Sequence, residues 1–179
     1  MQRTLIVSAL LMMAACTQSA EAGSSIAAQS IEDLIRNGIT AELNVYVPGH
    51  PVCPGPVPQD VRNEMLARLP TSLSGSFGSP LLEADISRAA GVLADGASTP
   101  ACQYGAGVEW VHLSNVTGTG SMAKATGLYR TWSRVAQWQG GMAVMAEPHN
   151  TIAATFELVD IHGWRISSYR WTFAPGSEP

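Results

Sequence analysis

Positive charge is scarce in this sequence, and the scarcity excludes two classes of partner. Lys124 is the only lysine, and ten basic residues stand against fourteen acidic ones, giving a net charge of −4. Nucleic acids are bound by lysine and arginine clustered against the phosphates, and an anionic membrane surface attracts a similar basic cluster. The sequence contains no such cluster. We therefore expect neither a nucleic-acid partner nor a polybasic contact with lipid headgroups.

The common catalytic and metal-binding motifs are also missing. The four histidines never fall in H-x-x-x-H or H-E-x-x-H spacing, no serine lies in a G-x-S-x-G elbow, and the cysteines form no C-x-x-C pair. Those spacings place two ligands, or a nucleophile and its turn, in the geometry that the chemistry needs. We therefore expect no metal ion and no cofactor.

The N-terminus has the composition of an export signal. Arg3 is followed by an apolar stretch from Thr4 to Ala15, which is too short to span a bilayer as a helix. It ends in Met13-Ala14-Ala15-Cys16, which resembles a bacterial lipobox, although Leu is more usual where Met13 stands. The alternative is an ordinary secretory signal cleaved near Ala15 or Ala22.

The lipobox resemblance implies a specific fate for the first 25 residues. Residues 1–15 would be a signal peptide, and Cys16 would become the lipidated first residue of the mature chain, carrying palmitate or similar acyl groups. The small polar residues that follow, to position 25, are expected to form a flexible tether. The protein would then be held in the bacterial cell envelope, at a membrane face in the periplasm, or be secreted if Cys16 is not lipidated.

Two cysteines remain once Cys16 is assigned to lipid. An even pair in an exported chain indicates a disulfide, so Cys53 and Cys102 are predicted to be joined. The alternative is a pair of unpaired buried thiols. Cys53 lies within a proline-rich loop, residues 48–58, where regular structure is precluded.

Hydrophobic periodicity predicts helices first and strands afterwards. Helices are expected at residues 26–47, 59–69 and from Ser79-Pro80 to Gly96, although the first could end near Asn37 and be followed by a strand at 41–47. Strands are expected at 108–116, 122–138 and 142–146, and an antiparallel hairpin at 151–173. This order is typical of the α+β class, with helices on one face of a curved antiparallel sheet.

The final hairpin carries the strongest pattern in the chain. Apolar residues alternate with polar ones along its first strand, the segment from Asp160 to Gly163 supplies turn chemistry, and a second strand rich in aromatic residues follows.

Part of this hairpin resembles the NTF2-like superfamily, the cone-shaped fold of SnoaL-type proteins and ketosteroid isomerase. The residues that carry the resemblance are Phe156, Val159, Gly163, Trp164, Arg165, Ile166, Tyr169 and Arg170. The motif covers the last quarter of the chain, and the order of elements covers the rest. The resemblance implies one domain at 26–173 with a pocket inside the cone, followed by a disordered tail at 174–179. The longer turn and the two cysteine loops depart from the family pattern.

An enzyme with this fold would need an acid or base in the cone pocket. The weak candidates are His112, Asp95 and Glu109. His112 shares strand parity with Val108 and Trp110, which predicts either a buried core histidine or a group inside the pocket. Asp95 precedes Gly96 and suits a helix end, and Glu109 alternates onto the solvent side of its strand. Three tryptophans are candidates for an apolar pocket wall: Trp110, Trp132 and Trp138.

These observations lead to three functional hypotheses. The first is a non-catalytic module that binds a small apolar ligand or an envelope protein, because no catalytic constellation is present. The second is an isomerase or hydratase type of enzyme that uses an acid or base in the pocket; a buried carboxylate with a raised pKa in an enclosed cavity would favour it. The third is an inhibitor or immunity-type lipoprotein that presents the proline loop. The resemblance also implies a possible homodimer formed through the sheet.

Overall fold

In the part of the chain that the structure describes, three helices precede the sheet. The computed structural model describes residues 20–47, 57–95 and 103–177, and only the backbone at 20–29, 95, 137 and 138. The helices are α1 (Ala20–Asn44), α2 (Gln59–Ser74) and α3 (Leu81–Asp95). The alternative strand at 41–47 does not form, since α1 runs to Asn44 and a turn follows.

Five antiparallel strands follow, and they form one sheet. They are β1 (Gln103–Thr119), β2 (Met122–Gln139), β3 (Met142–Ala146), β4 (His149–Asp160) and β5 (Trp164–Phe173). The sheet order is β1-β2-β4-β5, and β3 pairs with the far end of β2. Residues 136–139 of β2 therefore pair with β3 alone and form a two-stranded ribbon beyond the end of β1. The predicted α+β architecture, helices against an antiparallel sheet, is confirmed.

One face of the sheet and the three helices share a single apolar core. Along each central strand, alternate residues point to the inner face and are buried. Examples are Ala125 and Tyr129 on β2 and Ile152 and Phe156 on β4. Helix α1 contributes Ile35 to the same core. Burial of this apolar surface is the main force that holds the helices to the sheet.

Helix α1 also covers the open edge of β1 through its polar side chains. The amide of Asn44 donates to the carbonyl oxygen of Ala106, Thr40 Oγ1 accepts from the backbone N–H of Val108 at 3.2 Å, and Glu32 accepts from the N–H of Leu113 at 3.1 Å. These contacts give partners to backbone groups that a sheet edge would otherwise leave unpaired. They also fix the direction of α1, whose C-terminal end lies beside the start of β1.

The predicted hairpin forms between β4 and β5, with Phe156 opposite Tyr169 and Asp160 opposite Trp164. The turn follows the predicted chemistry, because Gly163 has a φ of 112° and its N–H donates to Asp160 Oδ1 at 2.9 Å.

Several predicted boundaries differ from the structure. Helix α1 begins at Ala20, so residues 20–25 are helical instead of a flexible tether; two alanines and a glutamate in this stretch favour helix. Helix α2 continues through Pro70 to Ser74, because Leu69 and Leu73 are both buried in the core. The predicted disordered tail is ordered to residue 177, where Ser177 Oγ accepts from the backbone N–H of Thr151. The signal peptide, Cys16, Cys53, Cys102 and most of the proline loop lie outside the described residues.

Candidate functional site

A cavity opens between the C-terminal half of α1 and the inner face of the sheet. Its volume is about 370 Å³, and α1, α3 and strands β1, β2, β4 and β5 all contribute to its lining. That volume falls at the lower end of the range that holds small organic ligands.

An ionic cluster forms one side of this cavity. Glu42 on α1 accepts a hydrogen bond from the hydroxyl of Tyr169 on β5 at 2.6 Å, and Arg88 on α3 donates to the other Glu42 oxygen at 2.8 Å. The same guanidinium donates to Asp85 at 2.6 Å. One arginine therefore links two carboxylates, and the three elements that carry these residues meet at one point.

Burial governs the acidity of this cluster. It raises the pKa of Glu42 above its ordinary value, against the opposing effect of the Tyr169 hydrogen bond and of Arg88. Burial likewise raises the pKa of Asp85, although Arg88 lowers it in part. The pKa of the Tyr169 hydroxyl is raised by burial and by the neighbouring Glu42 charge, so the phenol stays protonated and donates to the carboxylate.

Aromatic rings form a large part of the cavity wall. The cavity is lined by Tyr46, Tyr129, Tyr169, Trp171 and Phe173. The ring of Trp171 contacts that of Phe173 edge to face, with centroids 5.4 Å apart, and half of the Trp171 side-chain surface stays exposed. Aromatic walls of this kind bind flat or apolar groups, and their faces also attract cations.

Four of the residues predicted for the site lie instead on the outer face of the sheet. His112 is exposed and contacts Trp110, with ring centroids 4.8 Å apart, and pairs with Leu128 on β2. The prediction of a buried His112 is therefore wrong. The physical reason is a bulge at Glu109: Val108 faces the core, and the extra residue turns Trp110 and His112 outward.

Glu109 and Trp132 belong to the same outer face. Glu109 lies 3.0 Å from Arg130 Nε and 3.1 Å from His149 Nδ1, so it is exposed as predicted, although the bulge places it on the same face as Trp110 and His112. The ring of Trp132 covers Gly107, where an added Cβ would lie 2.9 Å from the indole nitrogen. Neither Trp110 nor Trp132 lines the inner cavity. The side chains of Asp95 and Trp138 lie outside the described part of the structure.

Sequence reasoning missed Glu42, Arg88 and Tyr169 as site residues. One signal was available: Glu42 follows Ile35 by seven positions and Ile39 by three, so it occupies the apolar stripe of α1. A carboxylate at such a position needs a buried partner. The sequence does not show which residue supplies it, because Tyr169 lies 127 positions away.

Two further searches of the described residues gave negative results. No three histidine, cysteine, aspartate or glutamate side chains are grouped closely enough there to hold a metal ion. No described helix is both long and apolar enough to cross a membrane.

Comparison with known proteins identifies similarity in fold. No protein-family model and no curated protein matches the sequence. Among solved structures, the chain is similar to the intermembrane space region of the chloroplast protein ARC6, with a TM-score of 0.52 and 14% identity over 82% of this chain and 97% of that one. It is also similar to an NTF2-like protein involved in plasmid conjugation, with a TM-score of 0.39 and 6% identity over 85% of this chain and 50% of that one. The first similarity concerns the fold alone, and the second is too low to support an argument.

Proposed function

We propose that this protein is a non-catalytic binding module of the bacterial cell envelope, which takes its ligand in the cavity between α1 and the inner face of the sheet. The hairpin motif and the order of elements support its assignment to the NTF2-like superfamily. The observation that carries the binding function is the state of Glu42, whose two oxygens already have partners in a cavity walled by aromatic rings.

The same geometry argues against proton abstraction as the main role of the site. A general base must reach the substrate proton at hydrogen-bond distance and be basic enough to take it. Tyr169 and Arg88 each donate to one Glu42 oxygen, which stabilises the charged carboxylate and makes it a weaker base, while each oxygen keeps a second lone pair that can accept from a ligand. The aromatic wall supplies apolar contact for the remainder of that ligand.

The envelope location rests on the sequence Met13-Ala14-Ala15-Cys16. The test is to express the full-length chain in a bacterium with labelled palmitate and to compare it with the Cys16→Ser variant. We expect label and membrane association in the wild type alone. Label in both chains, or in neither, would remove the lipid anchor from the proposal, and an unprocessed cytoplasmic chain would remove export.

Binding is tested with a variant that fills the cavity. Asn150 lines the cavity, whereas Asn115 is exposed on β1, so Asn150→Trp and Asn115→Trp form a matched pair. The full-length proteins are incubated with a small-molecule extract of the envelope, and retained compounds are identified by native mass spectrometry. We expect a compound to be retained by the wild type and by Asn115→Trp and lost from Asn150→Trp. Equal retention by all three would place binding elsewhere.

One observation favours a second function, an isomerase or hydratase type of enzyme. Burial raises the pKa of Glu42, as an acid or base working near neutral pH requires. In this case Glu42, and not His112, Asp95 or Glu109, would carry the proton. The fate of the retained compound distinguishes the binding module from the enzyme. If the compound is recovered with its structure unchanged after long incubation, the result supports binding. Conversion by the wild type that is lost in Glu42→Gln supports the enzyme.

A further inference from the structure

The ionic cluster at the cavity contains more negative than positive charge. Glu42 and Asp85 share the single guanidinium of Arg88, so ionisation of both carboxylates leaves one negative charge uncompensated. Among the described residues, the other titratable groups in or beside the cluster are Tyr46, Tyr129 and Tyr169, and each is a neutral phenol. A surplus charge at a half-buried site is costly unless a partner neutralises it.

Asp85 shows the shortage of donors directly. The residue is only 3% exposed, and its Oδ2 atom accepts no hydrogen bond from the described part of the chain. Arg88 donates to Glu42 and to Asp85 through one of its two terminal nitrogens, Nη2, and no donor of the described residues reaches Asp85 Oδ2. The cluster therefore has acceptor capacity that the described residues leave unused.

The cavity walls suit a cation as well as an apolar group. The rings of Tyr129, Tyr169 and Trp171 line the space next to Glu42. A cation over an aromatic face is stabilised by the ring quadrupole, and more so where water is excluded. The volume of about 370 Å³ equals roughly a dozen water molecules of the liquid, which limits the occupant to a small molecule or a single long side chain.

We propose that the cavity binds an organic ammonium group carried on a small apolar body, with the ammonium beside Glu42 and the body against the aromatic wall. This inference rests on the proposed binding function and names its ligand class. A carboxylate or phosphate ligand would add to the surplus negative charge, since Arg88 is already held by two carboxylates. A neutral ligand would leave the surplus charge without a partner.

Two sources could present this chemistry, a free small amine or a lysine side chain of a peptide. The experiment therefore uses benzylamine and N-acetyl-lysine amide as the ammonium probes. Benzyl alcohol and benzoate are the neutral and anionic counterparts of benzylamine. Each probe is titrated into the full-length protein, and binding is followed through the two-dimensional NMR signals of cavity residues such as Thr131 and Asn150.

We expect benzylamine to bind about tenfold more tightly than benzyl alcohol, as one partly screened charge contact would provide, and benzoate to bind least. In Glu42→Gln, the affinity for benzylamine falls to that for benzyl alcohol, while the alcohol binds as before and so reports an intact fold. Tighter binding of N-acetyl-lysine amide than of benzylamine would identify a lysine side chain as the source.

The outcomes separate the ligand class from the binding function. Equal affinities for benzylamine and benzyl alcohol, or a preference for benzoate, would overturn the ammonium inference and leave the cavity as a binding site. No change in the cavity signals with any probe would overturn both.

A second measurement needs no substitution and covers the case in which Glu42→Gln does not fold. Lowering the pH protonates Glu42 and Asp85 and removes the surplus charge, while the phenols and Arg88 keep their state. We expect the wild-type affinity for benzylamine to weaken on acidification and that for benzyl alcohol to stay constant. A benzylamine affinity that does not change with pH would contradict the proposal.

Discussion

At the scale of the residue, Tyr169 links the core to the cavity. Its ring stacks on Phe156 with centroids 5.6 Å apart, and its hydroxyl donates to Glu42 at 2.6 Å. The ring is part of the packing that joins β4 to β5, whereas the hydroxyl stabilises a charge on α1. One side chain therefore couples the position of a helix to the closure of the sheet.

We expect Tyr169→Phe to lower the free energy of unfolding by about 1–3 kcal/mol, because a buried carboxylate oxygen loses its donor while the ring packing stays. The measurement is equilibrium unfolding in urea. The matched control is Tyr104→Phe, where the side chain is 39% exposed and the change should stay within about 0.5 kcal/mol. A loss of similar size in both variants would show that the Glu42 contact contributes nothing specific.

The raised pKa of Glu42 gives stability a definite dependence on pH. The folded chain holds the Glu42 proton more tightly than the unfolded chain, whose pKa is near the ordinary 4.5. The contribution of Glu42 to the free energy of unfolding is thus fully present below pH 4.5 and is lost as the pH rises through the higher pKa of the folded state. Asp85 acts in the same direction.

We therefore expect Glu42→Gln to lose less stability than the wild type when the pH is raised from mildly acidic to neutral. Urea midpoints measured across that range test this, with the exposed Glu64→Gln variant as the control that should follow the wild type. Parallel pH profiles for all three proteins would contradict the raised pKa of Glu42.

At the scale of the element, the packing of β1 against β2 leaves no room for a side chain at one position. Gly127 on β2 lies opposite Leu113, and a Cβ added there would overlap the carbonyl oxygen of His112 and lie 2.8 Å from the Cα of Leu113. The bulge between Leu113 and Asn115 brings the two backbones this close.

Gly127→Ala should therefore destabilise the protein by about 2 kcal/mol or more, because the clash is with backbone that cannot turn aside. Gly91 on α3 has open space around the same hypothetical atom, so Gly91→Ala should stabilise by about 0.5–1 kcal/mol. Thermal unfolding of the two variants should move in opposite directions. A Gly127→Ala variant as stable as the wild type would refute the close approach of β1 and β2 at this position.

The elements were more predictable than the site for a physical reason. The alternation of Ile152, Ala154, Phe156 and Leu158 reports burial locally, so the strand could be read from the sequence. The bulge at Glu109 has no such local signal in the sequence, and it turns the His112 side chain from the inner to the outer face of the sheet. The site forms where α1, α3 and β5 come together. No residue spacing within a single segment of the sequence indicates that these three elements are neighbours.

At the scale of the whole molecule, the predicted Cys53–Cys102 bond would join the loop before α2 to the loop before β1. In the chain-entropy model, closing a loop of this length contributes about 4 kcal/mol, mainly by restricting the unfolded chain. We expect Cys53→Ser and Cys102→Ser each to lower the unfolding free energy by about that amount, and the double variant to cost no more than either single one. Additive losses would contradict a bond between them. Equal stability of the wild type with and without reductant would contradict it independently.

The length and direction of α1 set how far the cavity stands from any membrane that holds the chain. The helix has 25 residues and begins four positions after Cys16, and Glu42 lies in its last turn. At 1.5 Å per residue it extends about 37 Å, comparable to a bilayer's own thickness. A lipid at Cys16 would thus be attached close to the first residue of α1, while the cavity lies beside the last turn of the helix, up to that distance away. The anchor and the ligand site would then occupy opposite ends of one helix.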